Sequence, residues 1–158
     1  MSRFSELGQN KTTILLRLIE DERIVKCLVN NQLNFLDTPI SSNFDITSLI
    51  YSQIFPYRFV PQIQTEPKTF ITMKFNYKPN GDTYKYGSIV FYLFTHNSLL
   101  TTDYGSLRYD LLLNYIDESF NSTRGLGFGK LSFYDMDDIL INENFSGIYI
   151  AYKLLEKQ

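Results

Sequence analysis

The sequence predicts an α+β fold: a mostly antiparallel four-stranded sheet in β-β-α-β-β order, with an N-terminal helical segment packed on one face. Three observations carry this. Residues 69–77 alternate Ile71, Met73, Phe75 and Tyr77 against Phe70, Thr72, Lys74 and Asn76, the period-two signature of a half-buried strand. Tyr104, Leu107, Leu111 and Tyr115 recur at helical spacing. Residues 145–155 return to period two, with Ile148, Ile150, Tyr152 and Leu154 set against Tyr149, Ala151 and Lys153.

From the N-terminus, Thr12 or Thr13 is placed to cap a helix carrying Ile14, Leu15, Leu18 and Ile19. Asp21 is placed to cap a continuation carrying Ile24, Val25, Leu28 and Val29, so residues 12–30 form the helical segment, jointed at Glu20-Asp21-Glu22-Arg23. Residues 30–45 lack a strong period and contain Thr38-Pro39 and Ser41-Ser42-Asn43, which predicts an exposed loop before Asp45 caps a short helix through Ile46, Leu49 and Ile50. Within residues 51–68, Ile54-Phe55-Pro56-Tyr57-Arg58-Phe59-Val60-Pro61 alternates aromatics with prolines, which fix an extended path and suppress ordinary strand pairing. Two readings stand for it: it reaches over a neighbour with Phe55, Tyr57 and Phe59 inserted, or it crosses its own sheet.

The turn Lys78-Pro79-Asn80-Gly81-Asp82 joins residues 69–77 to a second strand over 86–95. That strand is apolar on both faces, which predicts a place inside the sheet or beneath another subunit. Asp103 is expected to cap the following helix, whose stripe is widened by Leu112 and Ile116, with Arg108, Asp110, Asn114 and Asp117 on the wet side. A glycine-rich turn then leads to strands over 130–134 and 145–155, completing a core over 69–155.

The chain has 158 residues, 44% of them apolar and no long Ser/Gly/Pro tract, which predicts one domain over 1–158 with a single core. A net charge of −2 and a pI near 5.4 argue against a broad phosphate-binding surface. No apolar run approaches the length of a membrane span, and Met1-Ser2-Arg3-Phe4-Ser5-Glu6 lacks the apolar stretch of a signal peptide, so a cytosolic protein without membrane contact is expected. Cys27, the single cysteine, reads as a reduced structural thiol. The aromatic content of 16%, all Tyr and Phe, leaves rings beyond the needs of one small core, available to partner surfaces.

The motifs that invite catalytic readings fail on their chemistry. Gly125-Leu126-Gly127-Phe128-Gly129-Lys130 is followed by Leu131 and a strand, whereas a phosphate-binding loop requires Ser or Thr and a helix N-terminus. His96 is the only histidine, so no His/Cys metal cluster is expected. Asp135, Asp137, Asp138 and Glu143 lack calcium-loop spacing and read as a solvated loop. A metal-dependent nuclease built on Asp45 and Glu66-Pro67-Lys68 is the best enzyme alternative, weakened by the proline and the low positive charge. No catalytic residue, cofactor or metal is expected.

The order of elements, the Ile54-Phe55-Pro56 crossing, the Lys68-Thr69-Phe70-Ile71 strand, Gly105-Ser106-Leu107-Arg108-Tyr109-Asp110 and the Gly125–Leu131 turn resemble the tail terminator and head-to-tail joining proteins of tailed bacteriophages. The resemblance implies a small structural subunit of the virion neck, assembled in the host cytoplasm as a homohexameric ring. One ring face would cap the tail tube protein, and the other would dock the head-closure or connector protein. Genomic DNA would pass through the channel without specific binding, and no reaction would be catalysed. A head-closure or adaptor subunit is the competing role within the neck, and a cytosolic interaction domain is the alternative outside it. The candidate subunit or partner interface is Phe55, Tyr57, Arg58 and Phe59 of the crossing, with Arg124 and Phe128 of the glycine turn. A charge at Phe59 is expected to block assembly and leave the monomer folded, and Gly127→Val to disrupt folding or assembly.

Overall fold

Apolar periodicity sorts the chain into a helical layer and a sheet, as residues 4–82, 84–121 and 130–157 of the computed structural model show. Helix α1 (Leu7–Glu20) buries Ile14, Leu15 and Leu18, and α2 (Glu22–Val29) buries Ile24, Val25, Cys27 and Leu28. Thr12 and Thr13 are not caps. They lie inside α1, where their hydroxyls donate to the carbonyls of Gly8 and Gln9 at 3.1 and 3.0 Å, the back-bonding that threonine makes mid-helix. Asp21 caps α2 as expected, accepting from the backbone N–H of Arg23 at 3.0 Å.

Asp21 also receives the Arg23 guanidinium and, at 3.1 Å, the hydroxyl of Ser119 on the last turn of a third helix, α3 (Arg108–Phe120). Burial pushes its pKa up, but hydrogen bonds from Arg23 and Ser119 and the Arg23 charge outweigh burial, leaving the carboxyl below its ordinary value. A carboxyl depressed in the folded state stabilises that state above its unfolded pKa, and the contribution is lost as pH falls through the folded value. Asp21→Asn is therefore expected to cost about 1 kcal/mol in urea unfolding at neutral pH, with the gap to wild type closing below about pH 4.

The sheet has five strands in the order β1-β2-β3-β5-β4. They are β1 (Ile54–Phe55), β2 (Thr69–Asn80), β3 (Tyr84–His96), β4 (Ser132–Leu140) and β5 (Phe145–Lys157). The predicted class holds, and the strand missed by the four-strand expectation is β1, two residues paired parallel to β2 with Ile54 opposite Ile71. The other neighbours are antiparallel, and the β2–β3 hairpin puts Asn80 opposite Tyr84. Gly81 takes φ +75° there, the left-handed geometry that made Asn-Gly a turn signal.

One sheet face meets the helices. Ile71, Met73, Ile89, Phe91, Leu93, Ile148, Ile150 and Tyr152 pack with Ile14, Leu18, Ile24, Leu28, Leu112, Ile116 and Phe120 in the main core. Tyr152 donates its hydroxyl to Asp117 at 2.7 Å, and burial together with that bond raises its pKa strongly. Cys27 lies in this core, fully buried, which pushes its thiol up to about 12 and leaves little thiolate.

Arg108 corrects the expected wet face of α3. It is fully buried, with Nε donating to the carbonyl of Leu99 at 2.9 Å, one terminal nitrogen to Cys27 and Asn30 at 3.2 and 2.9 Å, and the other to Gln32 at 2.9 Å. Its guanidinium lies 4.5 Å from the centre of the Phe35 ring. The carbonyls of Cys27 and Asn30 close the C-terminal end of α2, where unpaired oxygens and the helix dipole favour a cation. Asp103 does not cap α3. Leu107 stands at that position, and the Asp103 N–H donates to Leu33.

Residues 30–45 are exposed along much of their length, yet Phe35 is fully buried in a 3₁₀ turn, Phe35–Asp37. The Asn30 amide donates to the carbonyls of Phe35 and Thr38, Lys26 donates to Leu36, and the Tyr104 hydroxyl receives the Leu36 N–H. Asp45 caps the following 3₁₀ turn, Ile46–Leu49, as expected.

Candidate functional site

Two surfaces carry the aromatic surplus: the crossing segment and β4. Tyr51 takes φ 68°, turning the chain so that its N–H meets the Ile54 carbonyl and the segment drops onto the sheet face opposite the helices. There Phe55 stacks on Phe59 with ring centres 4.2 Å apart, and Phe59 meets Phe70 at 5.3 Å. Phe55, Phe70, Phe94 and Phe145 form a second core beneath Phe59, Tyr92, Ile139 and Ile141. Gly147 stands opposite Phe94, and an added Cβ would lie 2.8 Å from that ring, so the strand needs a glycine at this point. Further along, Asn142 and Asn144 donate to the carbonyls of Pro61 and Ile63, tying the segment to the β4–β5 connection.

The six sequence-predicted interface residues thus divide. Phe55 and Phe59 insert into their own sheet, so the expectation that a charge at Phe59 spares the monomer is revised: it would enter a packed aromatic cluster. Tyr57 is 50% exposed and stacks loosely, tilted by 30°, on the exposed Tyr51 with ring centres 6.5 Å apart, and Arg58 holds its guanidinium 5.3 Å from the Tyr92 ring. Arg124 and Phe128, with Gly127 and the rest of the turn at 122–129, lie outside the described residues.

Beside the crossing, Arg58, Phe59, Thr72, Tyr92, Phe94 and Ile139 help line a pocket of about 160 Å³, room for one apolar side chain. Thr72 is fully buried there, with no hydrogen-bond partner for its hydroxyl among the described residues. Sequence reasoning missed this pocket because its walls come from four separate segments, the crossing, β2, β3 and the end of β4.

Of the acidic stretch expected as a loop, Asp135, Asp137 and Asp138 lie in strand β4, bulged between Phe133 and Asp135, and Glu143 lies in the connection to β5. Phe133, Tyr134 and Met136 are 51%, 50% and 43% exposed, and Leu140 is fully exposed. The Asp135 carboxylate accepts the Tyr149 hydroxyl at 2.7 Å, a bond that pushes the phenol up to about 12. Such a row of exposed apolar side chains on an edge strand is unusual for an isolated subunit.

The residues of the catalytic readings have local roles. His96 Nδ1 accepts from the Ser98 N–H at 3.2 Å, and its ring stands edge-on to Phe145. Asp45 accepts from Thr47, while Glu66 and Lys68 pair at 3.1 Å on the surface. Among the described residues, no three His, Cys, Asp or Glu side chains converge as a metal site, and no helix is long and apolar enough to cross a membrane.

Comparison with curated proteins gives no match. The YomW family model matches residues 21–154, from the cap of α2 to Leu154 of β5, and so takes in the crossing, the second core, β4 and all of the main core's described members except those of α1. The chain belongs to the YomW family, a phage-associated family of the Bacillus phage SPBc2 type.

Proposed function

We propose that this protein is a structural subunit of a tailed-phage neck, the tail terminator that assembles as a ring, caps the tail tube and joins it to the head connector. The observation that carries the reading is the exposed apolar β4 on an α+β subunit of a phage-associated family. The layout resemblance supports the terminator over a head-closure or adaptor subunit. Phe55 and Phe59 serve the fold, so Tyr57 and Arg58, beside Tyr51 and Val60, remain as the outward surface of the crossing for a neighbouring subunit or the tube.

The test is the mass of the purified protein by light scattering over a concentration series, with and without tail tubes. A ring of about six subunits, free or seated on tube ends, supports the reading; a monomer that ignores both tubes and connectors overturns it. Tyr57→Asp is expected to weaken ring formation or tube capping at least tenfold while leaving the urea midpoint of the monomer unchanged, because half of the ring already faces water. Wild-type assembly by that variant would remove the crossing from the interface.

A further inference from the structure

Among the described residues, the sheet leaves two long edges open, and they differ in charge. β4 ends the sheet on one side with Asp135, Asp137 and Asp138. On the other, β1 covers β2 only at Ile71 and Thr72, so the outer edge of residues 73–80, with Lys74 and Lys78, has no strand beside it among the described residues. Exposed edges are templates for strand addition unless they are blocked; Pro79 stands at the hairpin end of one edge and the bulge after Phe133 near the start of the other, which leaves residues 73–78 and 135–140 as the stretches for pairing.

Strand polarity makes the two edges compatible. β2, β3, β5 and β4 alternate in direction, so β4 runs opposite to β2 within one chain. A copy related by rotation about an axis parallel to the strands keeps its own direction and presents a β2 that runs antiparallel to the first copy's β4.

The helical layer is offset in the matching sense. At the β2 side, Lys11 of α1 lies over the Phe75 ring, and α3 reaches over β3 and β5. β4 projects past this cover, with exposed Phe133 and Met136 opposite the helix-facing Tyr152 and Ile150. The charges also match by face: Asp135 and Asp137, opposite Ala151 and Tyr149, point to the sheet face away from the helices, the face that Lys74 and Lys78 share with Thr72, while Asp138, opposite Ile148, lies on the helix face.

We infer that the acidic edge β4 of one copy pairs antiparallel with the basic β2 edge of the next, head to tail, sliding Phe133 and Met136 beneath the neighbour's α1. The contact is heterologous, so repeating it closes a ring when the rotation closes. This rests on the ring reading above and names the surfaces that would build the ring.

The experiment is a charge swap. K74E/K78E has two acidic edges and D137K/D138K two basic ones, so each variant alone is expected to run as an 18.5 kDa monomer at concentrations where the wild type assembles. An equimolar mixture is expected to restore the wild-type mass, with the two variants alternating. Variants that assemble alone, or a mixture that stays monomeric while the wild type assembles, overturn edge pairing and leave the ring reading standing. A wild type that stays monomeric overturns the pairing, and if it also fails to cap tubes the ring reading falls with it. Amide exchange on the unmodified protein gives a check that needs no variant to fold. In the assembled fraction, β4 and residues 73–80 are expected to gain at least tenfold protection, and unchanged exchange there overturns the inference.

Discussion

Replacing Arg108 with methionine is expected to give the largest loss of stability of any single substitution in this chain. Methionine fills part of the volume and keeps helix propensity, so the effect reads out the guanidinium. Its loss leaves the carbonyls of Leu99, Cys27, Asn30 and Gln32 without this donor, those of Cys27 and Asn30 in buried bonds and the other two in part-buried ones. A buried acceptor stripped of its partner costs about 1–3 kcal/mol. Four together, with some relaxation and water entry, are expected to cost about 4 kcal/mol, a large part of the 5–15 kcal/mol typical of a domain. Arg108 also joins α2, the start of α3 and the connection after β3, so the loss is global. Arg108→Lys is expected to recover little, because a single ammonium cannot span carbonyls approached by three separate nitrogens. Urea unfolding measures both, and a lysine variant within about 0.5 kcal/mol of wild type would show that charge alone, rather than the fork of donors, holds the site.

Arg108 also shows where sequence reasoning met its limit. Positions 108, 112, 115 and 116 fall on one helical stripe, so the period placed Arg108 inward, and only its charge argued for the wet side. A cation is tolerated there because the end of α2 supplies oxygens, and no pattern within α3 reports on α2. The long strands were legible because one face of each is buried, which makes period two visible in Ile71, Met73 and Phe75 and again in Ile148, Ile150 and Tyr152. β4 lies at the edge and is exposed on both faces, so nothing forces alternation, and its aspartates read as a loop. β1 has two residues and a proline after them, too short for any period. Thr12 and Thr13 have the right chemistry for caps, but the helix begins at Leu7, before the apolar stripe that located it.

The candidate site was legible in part for the same reason. Aromatic-proline alternation marked the crossing correctly as a special segment, but period two would put Phe55, Tyr57 and Phe59 on one side of an extended chain, and the chain bends at Pro56 and Tyr57 out of that period. The sequence alone could not say which side met the chain's own sheet. Phe55 and Phe59 do, and Tyr57 between them does not.

Phe55→Ala is accordingly expected to cost about 3–4 kcal/mol, the second large effect. The ring is almost fully buried, packs beside both Phe59 and Phe70, and occupies one of the two positions by which β1 pairs with β2. Alanine keeps the strand backbone but opens a void among Phe59, Phe70 and Phe145 that the prolines on either side of the segment prevent it from collapsing to fill. Phe59 and Phe70 each also lose an aromatic neighbour, worth roughly 0.5–1.5 kcal/mol per pair beyond burial. The loss should appear in the urea midpoint of the monomer, at concentrations below assembly, and should be accompanied by faster amide exchange in residues 51–68 than in α1 or α2. Tyr57→Ala, two residues away and half in water, is expected to stay within about 0.5 kcal/mol of wild type. The contrast separates the crossing's two faces energetically: equal losses at Phe55 and Tyr57 would mean that the whole segment is structural, whereas a small loss at both would mean that it rests on the sheet without holding it together.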